Sequence, residues 1–362
     1  MLRTTAFVLL LLAALFAGSS AKPKPTAMTS NISVYGAWHC GNDFCTWSTV
    51  RNMTDFDTRN HWMIDRGDGS PSVNLVVLSF VQPLKLLNLT NDAGTSQGIP
   101  LGMNQAVVDY FKSHGVRVQL SIGGITYVDA WNQALATNPT QLGLNAAAAA
   151  QRLGVGIEID YEENTSPNLT GLQAFIDAYR SVLPYNASGT NHAARLTIDL
   201  ASGDRWLIAL ARKATADWLN TSVPVLDYAN AMVASKQFTS ASQAQADWQE
   251  HVDGKPQFAP PILPLAPAKF AGSLYIVTGT RAAPECTSFS SSLTNSTGLY
   301  VQTVAPNGAG TTSGMLGYMF WAAECPSSRR VCTVPPNSCE GGVGVGATTY
   351  GIPIPMPALR QN

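Results

Sequence analysis

Short apolar runs punctuate this chain, most of them separated by stretches in which apolar residues recur at helical spacing. The runs at 32–38, 73–80, 116–124, 153–162, 195–200, 225–233, 272–277 and 314–321 read as strands. The run at 73–80, Val-Asn-Leu-Val-Val-Leu-Ser-Phe, has the near-continuous apolar character of a strand covered on both faces. Helical spacing or propensity marks 105–113, the alanine-rich 145–153, 169–183 and 208–219. Strands alternating with helices imply a parallel sheet, and eight such units in this length predict a closed TIM (β/α)8 barrel.

One strand does not fit a simple apolar pattern. At 153–162 the chain runs Leu-Gly-Val-Gly-Ile-Glu-Ile-Asp-Tyr-Glu. Alternation puts Glu158, Asp160 and Glu162 on one face and Ile157, Ile159 and Tyr161 on the other. On an open sheet this would be an acidic face turned to water. In a closed parallel barrel no face is open, so the carboxylates must line the interior, near the C-terminal mouth where such barrels place their chemistry. Like charges so placed push carboxyl pKa values upward. That is how a general acid stays protonated near neutral pH.

Composition narrows the setting. The 362 residues carry 45% hydrophobic and 12% charged side chains with a formal net charge of -1, which leaves no basic footprint for nucleic acid or an anionic membrane. Residues 1–21 read as a secretory signal: Arg3, an apolar run over 6–16, then small residues ending at Ala21. No later run is long enough to span a bilayer, so the expectation is a secreted, extracellular protein. Six cysteines suit an oxidising compartment. Cys40 and Cys45 could close a small loop, and Cys286, Cys325, Cys332 and Cys339 could staple the C-terminal region in a pairing that spacing leaves open. Their spacing matches no zinc module, so no metal is expected. Eight Asn-x-Ser/Thr sites, at Asn31, Asn52, Asn88, Asn164, Asn168, Asn186, Asn220 and Asn295, predict a glycoprotein if the host is a eukaryote. The barrel is expected to occupy 22–340, followed by a Gly- and Pro-rich tail at 341–362.

With these residues in place, the chain resembles the family-18 glycoside hydrolases, which include chitinases and endo-β-N-acetylglucosaminidases. The family's fourth-strand pattern, Asp-Gly-x-Asp-x-Asp-x-Glu, is matched by Val155-Gly-Ile-Glu-Ile-Asp-Tyr-Glu162, and its third-strand Ser-x-Gly-Gly by Ser121-Ile-Gly-Gly124. The resemblance implies that Glu162 is the general acid, and that Asp160 orients the substrate's acetamido group so that its carbonyl oxygen attacks the anomeric carbon. This retaining, substrate-assisted route needs no enzyme nucleophile and no cofactor. Trp321 would floor the sugar site, with Tyr35, Gly123, Gly124, Tyr161 and Met232 around the substrate.

The implied partner is an N-acetylglucosamine-containing polysaccharide, chitin or its oligomers, cleaved at β-1,4 bonds by a monomer. N-glycans as substrate, and a lectin that binds chitin without cutting it, are the alternatives. The chain departs from the family pattern where Val155 replaces the first Asp and Glu158 the second, and where residues 232–235, Met-Val-Ala-Ser, lack the sixth-strand Tyr. Either another residue takes that Tyr's place, with Tyr275, Lys236 and Gln237 as candidates, or catalysis is weaker.

Overall fold

The computed structural model describes residues 34–323 apart from 43, 66–68, 70, 72, 204–205, 233–240 and 276–313. The proposed signal and tail, Cys286, Cys325, Cys332, Cys339, Lys236, Gln237, Asn31 and Asn295 lie outside the described residues.

Strands β1 (Val34–His39) and β2 (Leu75–Val81) flank helix α1 (Met53–Ile64), and α2 (Pro83–Leu87) leads to a short antiparallel pair, β3 (Thr95–Ser96) with β4 (Ile99–Pro100). Helix α3 (Gln105–Lys112) precedes β5 (Arg117–Gly123). Helices α4 (Val128–Thr137) and α5 (Pro139–Leu153) precede β6 (Gly156–Asp160). Then come α6 (Leu169–Val182), β7 (Leu196–Leu200), α7 (Ile208–Lys213) with a π-helical turn over Ala214–Leu219, β8 (Ala229–Ala231), α8 (Ala241–Asp253), β9 (Phe270–Tyr275) and β10 (Gly317–Ala323). Eight strands pair in parallel in the order β1, β10, β9, β8, β7, β6, β5, β2 and close on themselves. This is the expected (β/α)8 barrel.

Alternation along the strands builds two apolar layers. Outward-facing Val76, Leu78, Val118, Leu120, Ile157, Ile159, Leu196 and Ile198 pack against Phe111, Trp131, Leu142, Phe175 and Tyr179 from the helices. Inward, Val34, Leu75, Val77, Ala271, Leu316 and Met319 fill one end of the barrel beside Trp38 and Tyr228. Both sets are almost wholly removed from water, and this burial is the main force closing the barrel.

The acidic strand is shorter than its sequence implies. Leu153 ends α5, and Gly154 takes a left-handed φ of 66° as the helix terminator, so the strand begins only at Gly156. At its other end α5 starts earlier than the alanine run suggests, because Asn138 accepts the Gln141 N–H at 3.0 Å and Pro139 opens the first turn. The run at 225–233 gives only the three residues of β8, since Val225 and Leu226 instead bond back to the Trp218 carbonyl. Helices α1, α2, α4 and α8 have no counterpart among the sequence expectations.

Candidate active site

The polar interior of the barrel is built in tiers. Deepest, the Gln119 amide donates to Thr197 Oγ1 at 3.0 Å, and the Tyr228 hydroxyl donates to Gln119 Oε1 at 3.2 Å. Above them β5, β6 and β7 bring Ser121, Glu158 and Thr197 into register. Glu158 is fully buried and receives the Trp38 indole N–H on Oε1 at 2.7 Å and the Asn230 amide on Oε2 at 2.7 Å. The Asp199 carboxyl also reaches it, and Ser121 is its register partner on β5. Burial pushes the Glu158 carboxyl up, and these donors pull it back.

Asp160 and Glu162 follow toward the C-terminal mouth. Asp160 is held well above the usual carboxylate range, by burial first and then by the charges of Glu162 and Glu158. Its Oδ1 is buried and meets no hydrogen-bond partner among the described residues. Glu162 is partly exposed, and burial pushes its carboxyl up to about 7 while a hydrogen bond from the Ile125 backbone N–H opposes the rise. The alternation read from the sequence is therefore present in space, as three carboxyls on one inward line.

The Ser-x-Gly-Gly turn delivers that Ile125 N–H. Gly123 and Gly124 have φ values of 124° and 89°, which side chains other than glycine's rarely adopt. A Cβ on Gly123 would collide with the Asp160 carbonyl oxygen and the Trp131 indole, and one on Gly124 would press the Phe80 ring at 2.9 Å. The Gly124 N–H and the Trp131 indole both bond the Asp160 carbonyl, at 3.0 and 3.1 Å. The two glycines thus lock β5 and β6 together at the mouth.

Trp321 is half-buried at the rim, stacked on Phe80 with ring centroids 5.6 Å apart and 23° between planes, and tilted against Trp38 at 6.4 Å. Met232 sits half-buried just past β8, its N–H on the Leu200 carbonyl at 2.7 Å. Tyr275 pairs with Trp321 along the backbone.

Two residues expected around the substrate face the other way. Tyr35 belongs to the helix-side layer, where its ring meets Tyr318 and Phe320 edge-on. On β1 it is Trp38 that turns inward, odd and even positions having exchanged faces relative to the expectation. Tyr161 also points to the helices: its hydroxyl bonds Asn132 and receives the Asn168 N–H at 3.0 Å, and its ring lies 5.6 Å from that of Trp131. It braces the strand from outside.

Of the residues around Glu158, Trp38, Asn230 and Asp199 went unmarked in the sequence. The signal for Asp199 was available, since Leu196, Ile198 and Leu200 alternate with Thr197 and Asp199. Asp199 is 2% exposed. Its carboxyl is held well above the usual range, by burial first and then by Glu158 and Asp160. Among the described residues no cluster of His, Cys, Asp and Glu has the geometry of a metal site. The arrangement instead offers one exposed proton donor, Glu162, over a stack of buried carboxyls that share too few protons to stay neutral and too little water to ionise together.

No family model matches the chain, and no curated protein matches it in sequence. Among solved structures it is similar to a GH18 chitinase from Pseudoalteromonas aurantia, with TM-score 0.50 and 14% identity over 80% of this chain and 94% of that one. It is also similar to a chitinase from Rhizomucor miehei, with TM-score 0.50 and 13% identity over 86% and 99% of the two chains. At such identities the likeness is one of fold.

Proposed function

We propose that this protein is a secreted glycoside hydrolase that cleaves β-1,4 bonds beside N-acetylglucosamine, in chitin or its oligomers, with retention through the substrate's own acetamido group. The observation that carries the reading is the pairing of Glu162, with a carboxyl pushed up to about 7 at the barrel mouth, and Asp160, whose buried Oδ1 lacks a donor among the described residues. A carboxyl near 7 is protonated often enough at neutral pH to act as an acid and is then a competent base. An acetamido N–H seated on Asp160 Oδ1 would satisfy that atom and turn the acetamido carbonyl oxygen toward the anomeric carbon.

The steps follow from those two contacts. Glu162 gives its proton to the glycosidic oxygen as the bond to the anomeric carbon breaks, and the acetamido oxygen closes on that carbon to form an oxazolinium ring. The leaving sugar departs as an alcohol. The Glu162 carboxylate then takes a proton from water, whose oxygen attacks the anomeric carbon from the vacated side and reopens the ring, restoring both the acetamide and the Glu162 acid. Trp321, half-buried beside Phe80, supplies an aromatic face for the sugar ring. The Cys40–Cys45 disulfide and the apolar N-terminal run support export to an oxidising compartment.

The test is release of reducing sugar from N-acetylglucosamine oligomers. Wild type turns them over, and Glu162→Gln loses at least about 100-fold in kcat. Equal rates in both proteins would sink the reading. Cleavage of a high-mannose glycoprotein instead would move the substrate to N-glycans, and tight oligomer binding without turnover would make the protein a lectin.

A further inference from the structure

Asp199 is a buried carboxyl for which the two-contact scheme above has no use. It comes from β7, in register with Asn230 of β8, and it reaches Glu158 on β6. Glu158 already holds two N–H donors, one on each oxygen, from Trp38 and Asn230. Donors on both oxygens favour the charged form of a carboxyl, here against the burial that pushes Glu158 up. A second carboxyl can approach such an anion closely only by donating a proton to it. Asp199 Oδ1 meets no N–H or O–H donor among the described residues, so that oxygen has none to favour the charged form.

We propose that Asp199 is a protonated positioning residue that donates a hydrogen bond to the Glu158 carboxylate and thereby holds Glu158 anionic beneath Asp160. The consequence reaches the reacting groups in two steps. Glu158, fixed as the anion by Trp38, Asn230 and Asp199, keeps a negative charge directly below Asp160. That charge, together with Glu162, holds the Asp160 proton in place, where burial alone would leave it free to go to Glu158. The charged groups facing Asp199 among the described residues are the carboxyls of Glu158, Asp160 and Glu162, and Asn230 is its register partner on β8. Glu158 stands where the resembled pattern has the shorter Asp, and its extra methylene carries the carboxyl to these partners.

The positioning role rests on the hydrolase reading, so the experiment has one arm that needs no turnover. In the infrared difference spectrum of wild type minus Asp199→Asn at neutral pH, the band lost is the C=O stretch of a protonated carboxyl. Loss of carboxylate bands instead overturns the proposal. In turnover of N-acetylglucosamine oligomers, Asp199→Asn keeps kcat within about 3-fold because its amide still donates to Glu158. Asp199→Leu, of similar size but with no donor, loses about 10- to 100-fold in kcat with KM within about 2-fold. Its acid limb moves to higher pH, since Glu158 loses a donor that favours its anion. Equal kcat and equal pH profiles for the Asn and Leu variants overturn it as well. Absence of turnover by wild type sinks the hydrolase reading alone, and the infrared band still decides where the proton is.

Discussion

Glu162 and Glu163 are neighbours with the same side chain and opposite chemistry. Glu162 points into the barrel, where burial pushes its carboxyl up to about 7. Glu163 lies in the loop, where the Thr165 and Ser166 backbone N–H groups and the Asn132 amide hold its carboxyl below the ordinary range. Alternation alone separates them in the sequence, by putting Glu162 on the face of Glu158 and Asp160, and the resemblance to the family-18 hydrolases is what implies an acid role for it. The raised value also has a cost in stability. A carboxyl whose folded pKa lies above its ordinary 4.5 favours folding at pH below 4.5, and that contribution is lost as pH rises through about 7. For Glu162 the difference is at most about 3 kcal/mol. Thermal unfolding of wild type should therefore move to lower temperature between about pH 4.5 and 7, and Glu162→Gln should flatten that dependence. An unchanged slope in the variant would place the titrating group elsewhere. In activity, the basic limb of kcat/KM is expected near pH 7, read from a rate profile on oligomers.

At the scale of the strand, the sequence read well where period-two alternation was strong and poorly where register had to come from a distant partner. The face carrying Glu158, Asp160 and Glu162 was readable because Ile157 and Ile159 mark the other one. On β1, Val34-Tyr-Gly-Ala-Trp-His39 carries apolar or aromatic residues on both faces, so nothing local says whether Tyr35 or Trp38 turns inward. Pairing of Gly36 with Leu75 and of Trp38 with Val77 settles it. Tyr35→Phe should leave kcat within about 2-fold. Trp38→Phe removes the N–H from Glu158 Oε1, a charge-assisted bond worth about 1.5–3 kcal/mol, and should lower kcat by about 10-fold or more. Steady-state rates of the two variants side by side check the assignment, and equal effects would contradict it. Gly123→Ala forces a Cβ into the Asp160 carbonyl oxygen at a φ of 124°. It should destabilise by more than about 1 kcal/mol and disable the site together, as measured by urea unfolding and by rate.

For the molecule as a whole, the alternation of strands and helices was enough to predict the barrel, because parallel neighbours need crossovers and eight of them close. The ion pairs that finish its lower end were out of reach, since they join residues from separate units. Asp227 takes Arg195 on Oδ1 at 2.5 Å, Arg180 on Oδ2 at 3.0 Å and the Leu196 N–H at 2.8 Å, all buried. Arg195→Met would leave Asp227 with Arg180 and the Leu196 N–H and should cost about 1.5–3 kcal/mol in denaturant unfolding.

That lower end has a consequence for the traffic of protons. Arg117 bridges to Asn74 at 3.2 Å beside the ion pairs, and above them Val34, Leu75 and Leu316 fill the bore. Among the described residues the lower end of the barrel is thus stoppered by apolar side chains, and the partly exposed Glu162 marks the side on which the carboxyl stack meets solvent. A sugar chain lying across Trp321 would cork the upper mouth. On the hydrolase reading the stack gives up one proton with the leaving sugar and regains it from the incoming water, both across the upper mouth.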